Sequence, residues 1–207
     1  IGNNGDFTIS SSDVVYSNFF MQEKLLFAYE EVALGTKTLI FNAGIETSIH
    51  VFELFKKHKY KVKHLDSTFS DKDRKDTLKW FKETPDAILT SVSILTTGFD
   101  EPTVEAIILN RATKSLTLYY QMIGRGSRIL KNKSTFQVID LGNNLHRFGP
   151  WGSDLDWHRI FRTPNFYLDG ILADEDIEGN FRYEMPDELR EEFAKSVEVY
   201  FDIKKTY

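Results

Sequence analysis

The chain has 207 residues, 41% hydrophobic and 14% aromatic, enough apolar material for a sizeable core in one large domain or a domain with an appendage. It has no cysteine, which excludes a disulfide framework and a thiolate zinc site and fits a reducing, cytoplasmic setting. The net charge of −5 argues against a domain that holds nucleic acid alone, which is usually basic; contact with a phosphate backbone would use part of one face. No apolar run reaches about 18 residues, so no membrane span is predicted. The five histidines have no ligand spacing, and no metal site is expected. The chain opens at Ile1 without an initiator methionine, as an excised fragment would.

In chain order, residues 1–17 are polar, with a serine run at 10–12, and read as a flexible lead-in. Residues 18–34 carry a helical apolar pattern that Gly35 stops. "TLIF" (38–41) is a short apolar strand. A helix follows, with Ile45, Ile49, Phe52 and Phe55 predicted along its buried face. "KVKHL" (61–65) alternates and reads as a second strand. The neighbouring lysine run at 56–64 reads as a solvated helix end and loop. Ser70 and Asp73 form a capping-box-like start for a helix to about Phe81, and Phe52, Phe55, Trp80 and Phe81 are predicted core. "DAILT" (86–90), "VEAIILN" (104–110) and "TFQVIDL" (135–141) supply three more strands, with a helix over 115–123 stopped near Gly124.

Strands alternating with helices, with near-continuous apolar strand centres, predict an α/β fold: a parallel sheet with helices on both faces. That domain spans 18–149. Residues 150–207 are a mostly helical or irregular extension with Trp151, Trp157, an acidic run at 174–178 and a helix after Pro186.

Ligands of open parallel sheets gather at the carboxyl ends of the strands. Three polar clusters are expected there, at 42–44, 96–102 and 121–128. Their order resembles the second RecA-like domain of superfamily 2 (DEAD/DEAH-type) helicases and translocases. "TLIFNAG" resembles motif IV, "SVSILTTGFDEP" motif V and "QMIGRGSR" motif VI, written HRxGRxxR in its better-known form. The stretch from Arg74 to Phe81 resembles the region between motifs IV and V. Gln121 in place of the histidine, with "TTGFD", is nearer the DNA-directed restriction and repair branch.

The resemblance implies a RecA-like domain that supplies arginine fingers to ATP. Arginine suits this role because its planar fork bonds two phosphate oxygens and keeps its charge. By resemblance Arg125 and Arg128 are the fingers, and Gln121 orients them or touches phosphate. Gly98, Asp100 and Gly124 approach the nucleotide, with Asp100 a ribose partner. Asn42, Gly44, Ser93 and Thr96 face the nucleic-acid backbone; the branch resemblance favours DNA, and the sequence does not distinguish it from RNA.

No G-x-x-x-x-G-K-[ST] occurs. "LGTKT" (34–38) lacks the earlier glycine of a phosphate loop, and "ADED" (173–176) follows motif VI, where the family's acidic box precedes motif IV. The resemblance therefore implies that ATP and Mg2+ are held by an N-terminal RecA-like domain of the same polypeptide, and that this chain alone is inactive. The alternative reading is a non-catalytic RecA-like interaction module.

Overall fold

A computed structural model of the chain describes residues 6–92, 95, 99–152, 155–157 and 160. Gly98, Ser93, Thr96 and the helix expected after Pro186 lie outside the described residues. The elements are α1 (Ile9–Tyr16), α2 (Phe19–Val32), β1 (Thr38–Asn42), α3 (Ile45–Lys57), β2 (Val62–Leu65), α4 (Asp71–Glu83), β3 (Ile88–Ser91), β4 (Ala106–Asn110), α5 (Leu116–Ile123), β5 (Gln137–Asp140) and α6 (Asn144–Phe148). The chain divides into two units, 1–144 and 145–207. The division lies at the start of α6, upstream of the boundary expected near residue 149. In the second unit, the Gly149 amide donates to the Leu145 carbonyl at 2.8 Å and closes α6.

The sheet has the order β2-β3-β1-β4-β5, and every neighbouring pair is parallel. β1 and β4 lie inside and are buried at every position, which is why their sequences are apolar almost throughout. Register assigns the two faces. Ile40 is level with Ile108, and Ile108 with Ile139, so these side chains share one face. They pack with Leu25, Tyr29, Val51 and Phe55 from α2 and α3. Leu39, Ile107 and Leu89 point the other way. There Lys63 lies over the Trp80 ring of α4 at 4.9 Å, so α4 covers the second face.

Local signals set the helix ends. Asn18, Ser70 and Ser115 each accept a backbone N–H of their own first turn. Gly35 follows α2 with φ +76°, a left-handed conformation that suits glycine. Two expectations change. Residues 9–16 of the supposed flexible lead-in form α1, capped by Thr8, with the Asp13 side chain accepting from the Thr47 hydroxyl at 2.5 Å. The anchor is tertiary, so composition could not show it. The buried face of α3 is also rotated: Thr47, Ser48, Val51 and Phe55 are buried, while Ile49 is exposed and Ile45 and Phe52 are half-buried. In α4, Phe81 is core and Trp80 is half-buried. Among the described residues, no helix is long and apolar enough to cross a membrane.

Candidate functional site

The site residues fall at opposite edges of the sheet. Each helix between parallel strands runs back against them, so α5 leaves the carboxyl end of β4 and finishes near the amino edge. Gly126, just beyond α5, shows this: a β-carbon there would come within 2.9 Å of Ile107 Cγ1 at the start of β4 and would also strike Phe136. The segment 99–105 feeds β4 and sits at the same edge, where the Glu105 amide donates to the Lys37 carbonyl at 2.9 Å. Clusters 96–102 and 121–128 were expected at the carboxyl ends. In the described residues 99–102 and 121–128 lie at the amino edge instead, because the chain direction of β4 and α5 puts them there.

At that edge the two arginines differ. The Arg125 guanidinium is half-buried and its Nη1 donates to the Phe99 carbonyl. Burial pushes this guanidinium down from its ordinary value, the Arg128 charge pushes the same way, and Asp100 opposes both. An arginine stays charged under any such shift. Arg128 instead reaches into solvent and pairs through Nε with Asp100 Oδ1 at 3.2 Å; the side chains are 55% and 69% exposed. A pair this open is held weakly and its partner is easily exchanged. Gly124 caps α5, its amide donating to the Tyr120 carbonyl at 2.9 Å. Gln121 is half-buried one turn before Arg125, on the same side of α5.

Beneath this cluster lies support that the sequence did not single out. Lys37 is buried and its Nζ donates to the Lys82 carbonyl at 2.8 Å, with the Phe81 ring 5.3 Å away. Burial pushes its ammonium down, against the pull of Glu101 and Glu105. The lysine of "LGTKT" is thus spent inside the domain. Glu101 is buried and accepts from the Thr103 amide at 3.2 Å and from its hydroxyl. Lys133 donates to three carbonyls: Gly126 at 2.6 Å, and Pro102 and Arg128 at 3.0 Å each.

The carboxyl edge is different in kind. Asn42 was expected to face a nucleic-acid backbone, but it is fully buried. Strand alternation puts it on the face that α3 covers, level with Asn110 and with Thr90 and His64 on the same face. Its Nδ2 donates to Thr90 Oγ1 at 2.7 Å and to Ser48 Oγ at 3.2 Å, and its Oδ1 accepts from Asn110 Nδ2 at 2.8 Å. Ser48 lies 2.9 Å from His64 Nδ1, and His64 Nε2 lies 2.7 Å from Asp66 Oδ2. Burial would raise the Asp66 carboxyl; hydrogen bonds from Thr68 and His64 outweigh it and hold the group below its usual range. The row is a polar lock within the fold, since buried polar groups need partners. Gly44 begins α3 but is covered by the Asp13 carboxylate, which would collide with any β-carbon at this position.

The structure therefore brings Asp100, Arg125 and Arg128 together, with Gly124 and Gln121 alongside. Asn42 and Gly44 lie at the other end of the strands. A forked cation beside a loosely held carboxylate can receive the oxygens of a phosphate group.

Known proteins share parts of this sequence and its fold. Residues 20–130, more than half of the chain, match the helicase conserved C-terminal domain. A 51.5 kDa protein of Lactococcus phage (isolate 7-9) is 27% identical over 158 residues, covering 76% of this chain and 34% of that protein. The putative ATP-dependent helicase IRC3 of Saccharomyces cerevisiae is 32% identical over 103 residues, covering 50% of this chain and 15% of that protein. The solved structure of S. cerevisiae Dbp5 bound to RNA and ADP BeF3 shares the fold, with a TM-score of 0.52 and 18% identity over 71% of this chain and 42% of that one. The chain spans about a third or less of the length of the curated relatives it matches. With that match and a five-stranded parallel RecA-like sheet, the chain belongs to the helicase conserved C-terminal domain family.

Proposed function

We propose that this chain is the second motor domain of an ATP-dependent nucleic-acid helicase or translocase. It presents Arg128 and Arg125 to ATP held on a preceding RecA-like domain of the same polypeptide. One juxtaposition carries the reading. The "QMIGRGSR" and "GFDEP" stretches meet at the amino edge, with Arg125 on the Phe99 carbonyl and Arg128 on Asp100.

ATP supplies a phosphoryl group whose transfer is mostly a matter of positioning and charge stabilisation. Arg128 is the exposed finger: it exchanges the Asp100 carboxylate for phosphate oxygens. Asp100, released, turns to the ribose. Arg125 holds the turn to the 99–103 segment and adds its charge, and Gln121 and Gly124 shape the approach. Mg2+ in this reading accompanies the ATP on the preceding domain.

Nucleic acid, DNA in this reading, runs past the segments holding Ser93 and Thr96. With a net charge of −5, its binding to this chain alone is weak, indifferent to sequence and sensitive to salt. Titration of single-stranded DNA at two salt concentrations checks that; tight binding that ignores salt contradicts it.

The deciding experiment measures DNA-stimulated ATP turnover of the polypeptide joining both motor domains. Arg128→Ala is expected to lower turnover by about 10²–10³, and Arg128→Lys not to restore it, because an ammonium cannot make the forked contact. The isolated chain is expected to turn over no ATP. Near-normal turnover in folded Arg128→Ala removes the finger assignment.

A further inference from the structure

We propose that Lys133 is a positioning residue for the arginine-bearing turn; the inference rests on the reading of Arg128 as a finger. Lys133 lies outside the Q-x-x-G-R-x-x-R stretch, five residues after Arg128. The chain turns back at Leu130, where the Lys133 amide donates to the Leu130 carbonyl at 3.0 Å, and this aims the side chain at the turn it has just left. The ammonium then bonds Gly126 and Arg128 within the turn, and Pro102 in the segment that carries Asp100.

An ammonium has three donors diverging from one point, and here three carbonyls from two segments converge on it. It thereby fixes how far the backbone of Arg128 stands from the segment of Asp100. The remaining contacts fit this role. The Ser127 hydroxyl donates to the Gly124 carbonyl at 3.1 Å, a second tie within the same turn. The Phe136 ring, 5.8 Å from Nζ, also closes over Gly126. Burial pushes the ammonium down from its ordinary value, and Glu105 opposes this.

A finger is useful only if its fork arrives in register, and a misplacement of about 1 Å can cost about a hundredfold in rate. Lys133→Met removes the tie and touches no substrate. In the polypeptide joining both motor domains, kcat is expected to fall about 10- to 100-fold. KM for ATP should stay within about threefold, because the loss is confined to the transition state. Amide hydrogen exchange over residues 124–130 of this chain is expected to quicken about tenfold or more, with the β1 and β4 amides unchanged. Lys133→Arg keeps charge and bulk, but its planar fork cannot aim three donors at converging carbonyls. It should show the same kcat loss in milder form, and it serves as the test if Lys133→Met does not fold.

Unchanged exchange over 124–130 overturns the tie itself. Faster exchange with undiminished kcat overturns the positioning role. An equal loss in kcat and gain in KM points to general damage and also overturns it. Arg128→Ala, assayed alongside, separates the two levels: normal turnover there refutes the finger reading and this inference with it. A large loss there with a silent Lys133→Met refutes this inference alone.

Discussion

Truncating each arginine should separate two jobs that the motif treats as equivalent. Arg125→Ala strips a guanidinium from the Phe99 carbonyl in a half-buried setting. A hydrogen bond from a charged donor contributes about 1.5–3 kcal/mol. Arg128→Ala removes only a solvent-exposed ion pair at 3.2 Å, worth about 0–1 kcal/mol. For a unit of this size, 1 kcal/mol moves Tm by roughly 3–5 °C. Arg125→Ala should therefore lower Tm by about 5–15 °C, and Arg128→Ala by at most about 5 °C. Thermal unfolding of the chain by circular dichroism reads both values. DNA-stimulated turnover of the two-domain polypeptide should fall in both variants, for different reasons. Equal Tm losses, or a larger loss for Arg128→Ala, would refute the division into a structural arginine and a free finger.

The polar row gives a second expectation: Asn42→Ala leaves Asn110 Nδ2 without its acceptor and strips Thr90 and Ser48 of a donor. It should cost about 2–4 kcal/mol, read as a urea midpoint lowered by about 1–2 M; a midpoint within about 0.3 M of wild type would contradict the lock. Gly126→Ala forces a methyl against Ile107 and Phe136 and should cost about 1–3 kcal/mol by the same assay; an unchanged midpoint would mean the turn gives way freely. The Asp66 carboxyl sits below its ordinary 3.8, so its stabilisation is complete above that value and is lost as pH falls through the lower folded one. The wild-type urea midpoint should therefore fall more steeply than that of Asp66→Asn below about pH 4, and parallel slopes would refute the assignment.

The parallel sheet was legible because β1 and β4 are inner strands buried on both faces, which leaves an unbroken apolar run in the sequence. The arginine turn was legible from its spacing, but its edge was not. Reading each cluster as an isolated loop ignores that α5 must run back against β4 before the turn begins. Asn42 misled for a related reason. Polar residues at a strand end usually meet solvent or ligand, yet alternation aims this one under α3, where Ser48 and Thr90 await it. The same row explains α3: its buried face includes Thr47 and Ser48 because it covers a polar strip, so counting only apolar residues rotated the prediction toward Ile49. α1 left little signal, since its hold on the domain is tertiary: Asp13 meets Thr47, Tyr16 is buried, and the Tyr16 carbonyl accepts from Gln22 Nε2 at 2.7 Å.

The lysine run at 56–64 acquires a purpose from the strand order. β2 is an outer strand, and one row of its backbone N–H and C=O groups faces away from β3. An open row of that kind invites another chain to add itself as a sixth strand. Here the strand is only four residues long, and lysines stand at and beside it. Lys61 is tied to Asp86 at 2.8 Å and Lys63 is laid over Trp80. A molecule approaching β2 must bring its own backbone in among ammonium groups and strip them of water. Charges placed at such an edge act as a guard rail against copies of the domain zipping together along their sheets.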